Sequence, residues 1–371
     1  MDSCDVAVHG GGIVGHTLAL ELASHGLEVA LLAPPPRAGT DLRAYALNAA
    51  SVALLQRLRV WAQLPADAAT AVHEMRVHGD ALASRIEFSA WTQHVDQLAH
   101  IVDAAALEAT LADAVRFAPR VHALAADASP RARLHAWCDG KFSAGRERLG
   151  IGFAVHHYGH TAVAARLVAS QPHAGVARQW FRAPDVLALL PFDRAQRGCG
   201  YGLVWSLPEA RARELLDADA QAFEAALNDA TGGEAGTLTL AGDGQRAGWP
   251  LMVGRAERVA GPGWVLLGDA AHVVHPLAGQ GLNLGLGDVE ALSRVLVQRE
   301  GWRALGDERL LARYARERAA PTREMALVTD GLLHLFASDL PGVRELRNLG
   351  LDLVDHLPPL KRWLTARALG T

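Results

Sequence analysis

Residues 5–9 are a short stretch with an apolar centre, Val6-Ala7-Val8, and run directly into Gly10-Gly11-Gly12-Ile13-Val14-Gly15, from which Val14, Leu18 and Leu22 recur four apart. This succession of strand, glycine turn and amphipathic helix constrains the chain more than any other feature. Glycines at 10, 12 and 15 let the backbone turn tightly and leave bare N–H groups at a helix start, where roughly half a positive charge favours a pyrophosphate. Gly26 stands where that helix would stop, and residues 27–32 are apolar apart from Glu28, as a parallel strand buried on both faces requires. Pro34, Pro35 and Pro36 end it. The unit reads as a dinucleotide-binding β-α-β, with a purely structural glycine turn as the alternative. One part is missing: the second strand of such a unit usually ends in an acid that accepts ribose hydroxyls, and here that place is Ala33.

With 371 residues, half of them apolar, the chain can build two ordinary domains. A net charge of -4 gives no basic surface to track a phosphate backbone, so nucleic acid is not an expected partner. Cys4, Cys138 and Cys199 lie far apart without a CxxC, against both a disulfide framework and a cysteine-rich zinc site. The N-terminus lacks the basic start and apolar block of a secretory signal, and no apolar run approaches the roughly 20 residues that span a bilayer. The expectation is a cytoplasmic protein, with peripheral contact to the inner membrane left open.

Periodicity predicts helix over 41–64, strands over 75–90 and helix over 96–115. Strands are expected at 161–168, 186–191 and 202–207, with one helix over 210–228. Residues 263–268 read as a further buried strand, and the chain beyond 303 as mostly helical. A strand-helix-strand opening and a late strand-helix unit flank a sheet-rich middle, which implies a discontinuous α/β domain carrying an insert.

Two later motifs bear on chemistry. Trp137-Cys138-Asp139-Gly140, followed by Ser143 and Arg146, is a strand ending in Asp-Gly, which reads equally as a simple turn. Residues 263–288, GWVLLGDAAHVVHPLAGQGLNLGLGD, say more. A buried strand delivers Gly268 and Asp269 at its carboxyl end, where open α/β sheets bind ligands. Pro276 then stiffens the loop, and Gly279, Gly281, Gly285 and Gly287 strip side chains from a helix whose Leu282, Leu286, Val289 and Leu296 face a core. Such a helix start offers bare N–H groups and a positive end to a flat anionic ligand; glycines placed only for close packing are the alternative. His272 and His275 lie in the same loop, where either could relay a proton or merely order the loop. His156, His157 and His160 are near one another, but neighbours on a strand point to opposite faces, so no metal site is expected.

Taken together, the Gly10/Gly12/Gly15 turn, Asp139-Gly140 and GDAAHxxxPxxGQGxN at 268–283 resemble the three fingerprints of single-component FAD-dependent aromatic hydroxylases. The similarity is greatest to the ubiquinone-biosynthesis branch, through DLRAYALNAAS at 41–51, CDGKFSAGRERLGI at 138–151, LALLPF at 187–192, LVWS at 203–206 and the segment 335–361. Arg59 stands where the similar proteins usually carry glycine before Val-Trp.

The resemblance implies a para-hydroxybenzoate hydroxylase-like α/β fold. A Rossmann-like FAD-binding domain would comprise 1–73, 96–152 and 256–320, with a sheet-based substrate domain over 74–95 and 153–255 and a helical segment over 321–371. It further implies that Gly10, Gly12 and Gly15 cradle the FAD pyrophosphate, that Arg43 reaches the cofactor from the following helix, and that Asp269 holds its ribityl or pyrophosphate side. The backbone of Gly281, Leu282 and Asn283 would face the isoalloxazine, Pro276 would line its edge next to substrate, and Asp139 would serve both FAD and a transient NAD(P)H. The implied reaction uses NAD(P)H and O2 to hydroxylate an aromatic ring, a polyprenyl phenol of ubiquinone biosynthesis. Alternatives are a small soluble aromatic substrate or a flavin-binding scaffold without turnover. Membership of a ubiquinone-biosynthesis complex and membrane contact through the stripe Val343, Leu346, Leu349, Leu353 and Leu357 are also implied. From the absent acid at 33 we expect FAD to be partly lost on purification and Ala33→Glu to tighten it, read as a lower Kd in a fluorescence titration; an unchanged Kd would show that another group covers this ribose.

Overall fold

A computed structural model describes residues 3–35, 41–79, 85–274 and 280–337. The opening strand, Ser3–His9, lies inside a six-stranded sheet in the order Ala260–Gly261, Trp264–Leu266, Arg131–Trp137, Ser3–His9, Val29–Ala33, Val121–Ala125. Its pairings are parallel apart from the hairpin of the first two. Parallel strands are covered on their faces, which explains the unbroken apolar run at 29–32. Val6, Val8, Val29 and Leu31 pack against Leu18 and Leu22 of the helix Ile13–Ser24. Leu282, Leu286, Val289 and Leu296 of the helix Gln280–Val297 enter the same core, as their spacing predicted.

The second sheet has nine strands, all antiparallel except where Val176–Arg182 runs beside Glu74–His78. Its backbone is the long strand Phe153–Ala169, paired with Gly200–Pro208 on one side and Arg246–Ala256 on the other. Val163, Ala165 and Leu167 pack with Leu203, Trp205 and Leu207 beneath the helices Glu209–Asp217 and Ala220–Thr231. The opposite face carries Arg166 and Gly202. A methyl at Gly202 would touch Ala44 at 3.4 Å, so this face abuts a third, three-stranded sheet of Ala44–Leu47, Ala99–Asp103 and Ala69–Val72. Arg166 spans the join, donating to the Asp103 carboxylate at 2.9 Å and to the Arg43 carbonyl at 3.1 Å.

Three stretches read as single helices break, each at a capping residue. Over 41–64 the strand Ala44–Leu47 comes first, paired with Ala99–Asp103, and the helix Ala49–Arg57 starts only where the Asn48 side chain accepts from the Ser51 N–H. Arg43 therefore precedes a strand and is not carried on a helix. Residues 96–115 divide at Asp103, which ends a strand and accepts from the Ala106 N–H of the helix Ala104–Arg116. Over 210–228 Asp219 caps a second helix in the same way. A short side-chain oxygen that satisfies an orphan N–H favours a helix start over a helix interior.

Arg59 closes the helix Ala49–Arg57. Its N–H donates to the Gln56 carbonyl and that of Val60 to the Leu55 carbonyl, a Schellman ending that places Arg59 in the left-handed region at φ 60°. This conformation costs a side-chain-bearing residue about 1 kcal/mol that glycine does not pay. The Arg59 side chain is exposed. Arg59→Gly is therefore expected to raise the unfolding free energy by about 1 kcal/mol, read as a higher urea midpoint with unchanged slope.

Candidate active site

The glycine turn divides its labour. A methyl at Gly10 would overlap the Cys138 carbonyl, and one at Gly15 would overlap the Gly10 carbonyl, so both are required by the approach of protein to protein. Gly12 differs: a methyl there meets nothing within 4 Å. Gly12 caps the helix Ile13–Ser24 in extended geometry, no side chain caps the helix, and its first turn holds no acid. Free N–H donors thus meet open space, which suits a pyrophosphate.

Arg43 is exposed, and its charge reaches Asp269. Asp41 grips the Nε and Nη2 edge of its guanidinium at 2.6–3.0 Å, which raises the Arg43 pKa and leaves the Nη1 edge outside the grip. Asp269, on the short 3-10 turn Gly268–Ala270, reaches solvent from the bottom of a concavity. Burial raises its carboxyl pKa, and the charges that oppose this are His272, Arg43 and Lys141. Tyr45 feels Asp269 as well, and burial pushes its phenol up to about 12. Gly12, Arg43 and Asp269 are the sequence-predicted residues that present donors and a carboxylate to open space.

Asn283 does more than lend its backbone. Its side-chain oxygen accepts from the Asn48 N–H at 3.1 Å and from the Ser51 hydroxyl at 2.8 Å, while its amide donates to the Ala46 carbonyl at 2.8 Å. The start of the helix Gln280–Val297 is thereby fixed to the strand Ala44–Leu47. Gly281 is half-buried and Leu282 is buried in the core. Gly285 sits against Val14, where a methyl would come within 2.8 Å, so close packing accounts for that glycine. His275, Pro276 and Gly279 lie outside the described residues, as does the stripe from Val343 to Leu357.

His272 is 4% exposed and holds Asp288, itself fully buried, at 2.7 Å. Burial disfavours charge on the ring, but the Asp288 carboxylate outweighs it, and the net His272 pKa is raised. Asp288 also accepts from the Gly268 N–H at 2.9 Å and from Arg318 Nε at 2.6 Å. Arg318, on the helix Glu308–Ala337, reaches the Leu284 carbonyl too. This network fixes the turn that bears Asp269. A cavity of about 250 Å3 lined by Arg255, Arg258, Tyr314 and Arg318 adjoins the network and is not part of the glycine-lined cleft. Sequence reasoning gave Asp288 and Arg318 no role; an acid at the interior of an apolar helix was the available signal for Asp288.

The Asp-Gly turn is built inward. Asp139 Oδ2 accepts from the Gly145 N–H at 3.0 Å, and Oδ1 is buried without a hydrogen-bond partner among the described residues. Arg146, buried and stacked on Phe153, donates to the Ala270 and Lys141 carbonyls. It joins the second motif to the third. His156 and His157 are both exposed on the strand Phe153–Ala169, and the His160 ring nitrogens lie against the Tyr158 and Pro184 carbonyls, which can only accept.

A family model described as an FAD binding domain matches residues 3–124 and 92–328. The chain is 32% identical to the ubiquinone hydroxylase UbiL of Rhodospirillum rubrum, over 99% of this chain and 90% of that protein. It belongs to the FAD-dependent aromatic hydroxylases. Identity is also 32% to the 3-demethoxyubiquinol 3-hydroxylase of Escherichia coli, over 99% of this chain and 98% of that one. Among solved structures, p-nitrophenol 4-monooxygenase PnpA from Pseudomonas putida has the same fold, at a TM-score of 0.78 and 18% identity over 100% of this chain and 99% of that one. PqsL from Pseudomonas aeruginosa matches at a TM-score of 0.77 and 22% identity, over 94% of this chain and 99% of that one.

The residues present fit FAD: an uncapped glycine helix start, a guanidinium edge beside a carboxylate, and the orphaned Asp139 Oδ1 within one connected set of turns. In this hydroxylase the two kinds of glycine separate by mutation. Gly12→Ala is expected to leave the melting temperature unchanged and to raise the FAD Kd about tenfold, because its backbone suits any residue but the methyl intrudes on the open side. Gly15→Ala is expected to lower the melting temperature outright; calorimetry and FAD titration of both variants check the contrast.

Proposed function

We propose that the chain is an NAD(P)H- and O2-dependent hydroxylase of a polyprenyl phenol in ubiquinone biosynthesis. The observation that carries this is full-length likeness to two named ubiquinone hydroxylases, joined to a cleft whose polar groups suit FAD. FAD, when bound, supplies the redox chemistry that activates O2 and delivers one oxygen atom to the ring. For each turnover the balance is ring C–H plus O2, NAD(P)H and a proton giving ring C–OH, NAD(P)+ and water.

The chain's own residues bind, orient and exclude water. The open N–H groups at Gly12 and the free edge of Arg43 would take the pyrophosphate, and Asp269 would accept from cofactor hydroxyls. Asn283 would keep the helix start of Gly281 and Leu282 in register with Ala46, so that the backbone meeting the ring system cannot drift. His272, held by Asp288 and closed to solvent, serves this reading as a positioning group for the Asp269 turn; Pro276, set by the family motif, would line the substrate side, and His275 beside it could relay a proton. Residues 1–73, 96–152 and 256–320 would form the cofactor domain, and 74–95 and 153–255 the substrate domain, joined at Arg166. A polyprenyl substrate calls for access from a membrane surface, and no described helix is long and apolar enough to cross one.

The purified hydroxylase, supplied with FAD, is expected to oxidise NADPH or NADH several-fold faster when a phenol carrying a short prenyl tail is added, and to yield a ring-hydroxylated product by mass spectrometry. A panel differing only in tail length should favour the prenylated members. Reduced nicotinamide consumed with peroxide as the sole product would contradict the proposal.

A further inference from the structure

The strand Val29–Ala33 ends without an acid, and the structure places an imidazole beside that end. A methyl built on Gly11 would lie 2.6 Å from the Ala33 Cβ and 3.7 Å from His16 Cε1. Gly11, His16 and Ala33 therefore share one corner of the glycine turn. Successive residues of a helix rotate by about 100°, and Val14, two positions earlier, faces Gly268 and Gly285 instead. His16 thus flanks the turn on the side of the second strand, where a ribose is held in units of this kind.

The ring is suited to a hydroxyl. It is half-buried, and no acid stands in the first turn to pair with it. Burial draws its pKa down, only partly offset by the Gly12 carbonyl, and so favours the neutral ring. A neutral imidazole offers one donor and one acceptor. Its Nδ1 is buried without a hydrogen-bond partner among the described residues. A ribose hydroxyl, which both donates and accepts, matches such a ring without the charge of a carboxylate.

We propose that His16 takes the place of the missing acid at Ala33, as the side chain that hydrogen-bonds the adenosine ribose of the dinucleotide. The proposal rests on the reading of this cleft as the FAD site. It revises the expectation for Ala33→Glu: with His16 present, a carboxylate at 33 adds little.

The test is a set of FAD titrations by fluorescence on the full chain, with FMN, which has no adenosine half, as the control ligand. His16→Leu should raise the FAD Kd about three- to tenfold, with the FMN Kd and the melting temperature unchanged, and His16→Gln should recover most of the loss. Ala33→Glu should tighten FAD less than about threefold in the wild-type background but restore affinity in the His16→Leu background. The proposal is overturned if His16→Leu binds FAD like wild type, if it weakens FMN equally, or if Ala33→Glu tightens FAD tenfold or more with His16 in place. That last measurement stands even where His16→Leu folds poorly. A wild-type chain that binds no FAD overturns the proposal and the cofactor reading beneath it, whereas binding with no effect at His16 overturns the proposal alone.

Discussion

A carboxylate without access to water holds the site together. Burying an ion costs several kcal/mol unless hydrogen bonds and opposite charges compensate it. Asp288 meets that cost with three partners from two parts of the chain: the Gly268 N–H and the His272 ring of one loop, and the Arg318 guanidinium. Each partner is fixed in return. The turn that exposes Asp269 to the cleft is therefore set by a group that never touches the cleft, and the helix Glu308–Ala337 becomes part of the site's geometry through one side chain. Asn283 makes the second cross-link, from the same helix as Asp288 to the strand Ala44–Leu47. Between them the two residues clamp a helix start whose own sequence, nearly stripped of side chains, could not hold itself in place.

Much of this was legible in the sequence, and the parts that were not share a physical cause. The glycine turn, the parallel strands and the apolar face of the helix Gln280–Val297 follow from periodicity and steric need. The broken helices at Asn48, Asp103 and Asp219 escaped a reading of apolar spacing, because spacing is blind to a side-chain oxygen that ends one element and begins another. The cap signature was nonetheless there, a short polar residue just before each helix. Arg59 shows the reverse. The expectation of glycine at that position came from likeness to relatives, and the left-handed backbone supplies its reason. Arg318 had no local signal at all: its role depends on a partner 30 positions away that only the tertiary structure brings to it.

At the site itself, the motif residues named from sequence do not all do one job. Gly12 faces open space, whereas Gly10 and Gly15 permit one piece of backbone to lie on another and Gly285 makes room for the Val14 side chain. Asp139 orders its own turn with one oxygen and leaves the other without a partner among the described residues. Spacing records that a glycine or an acid is required; what it is required for is decided by which atoms stand opposite.

The strand order carries a consequence for how the molecule is made. Glu74–His78 and Arg85–Ser89 reach their sheet only by pairing with Val176–Arg182, about a hundred residues later, and Arg131–Trp137 gains its outer neighbour from Trp264–Leu266. During synthesis both sheets therefore wait with open edges, a state in which unpaired backbone invites association with other chains. The strand Trp264–Leu266, which closes the edge of the first sheet, leads directly into the Gly268–Ala270 turn of the cleft. For the first sheet, cofactor loading and escape from aggregation are thus tied to the same final third of the chain.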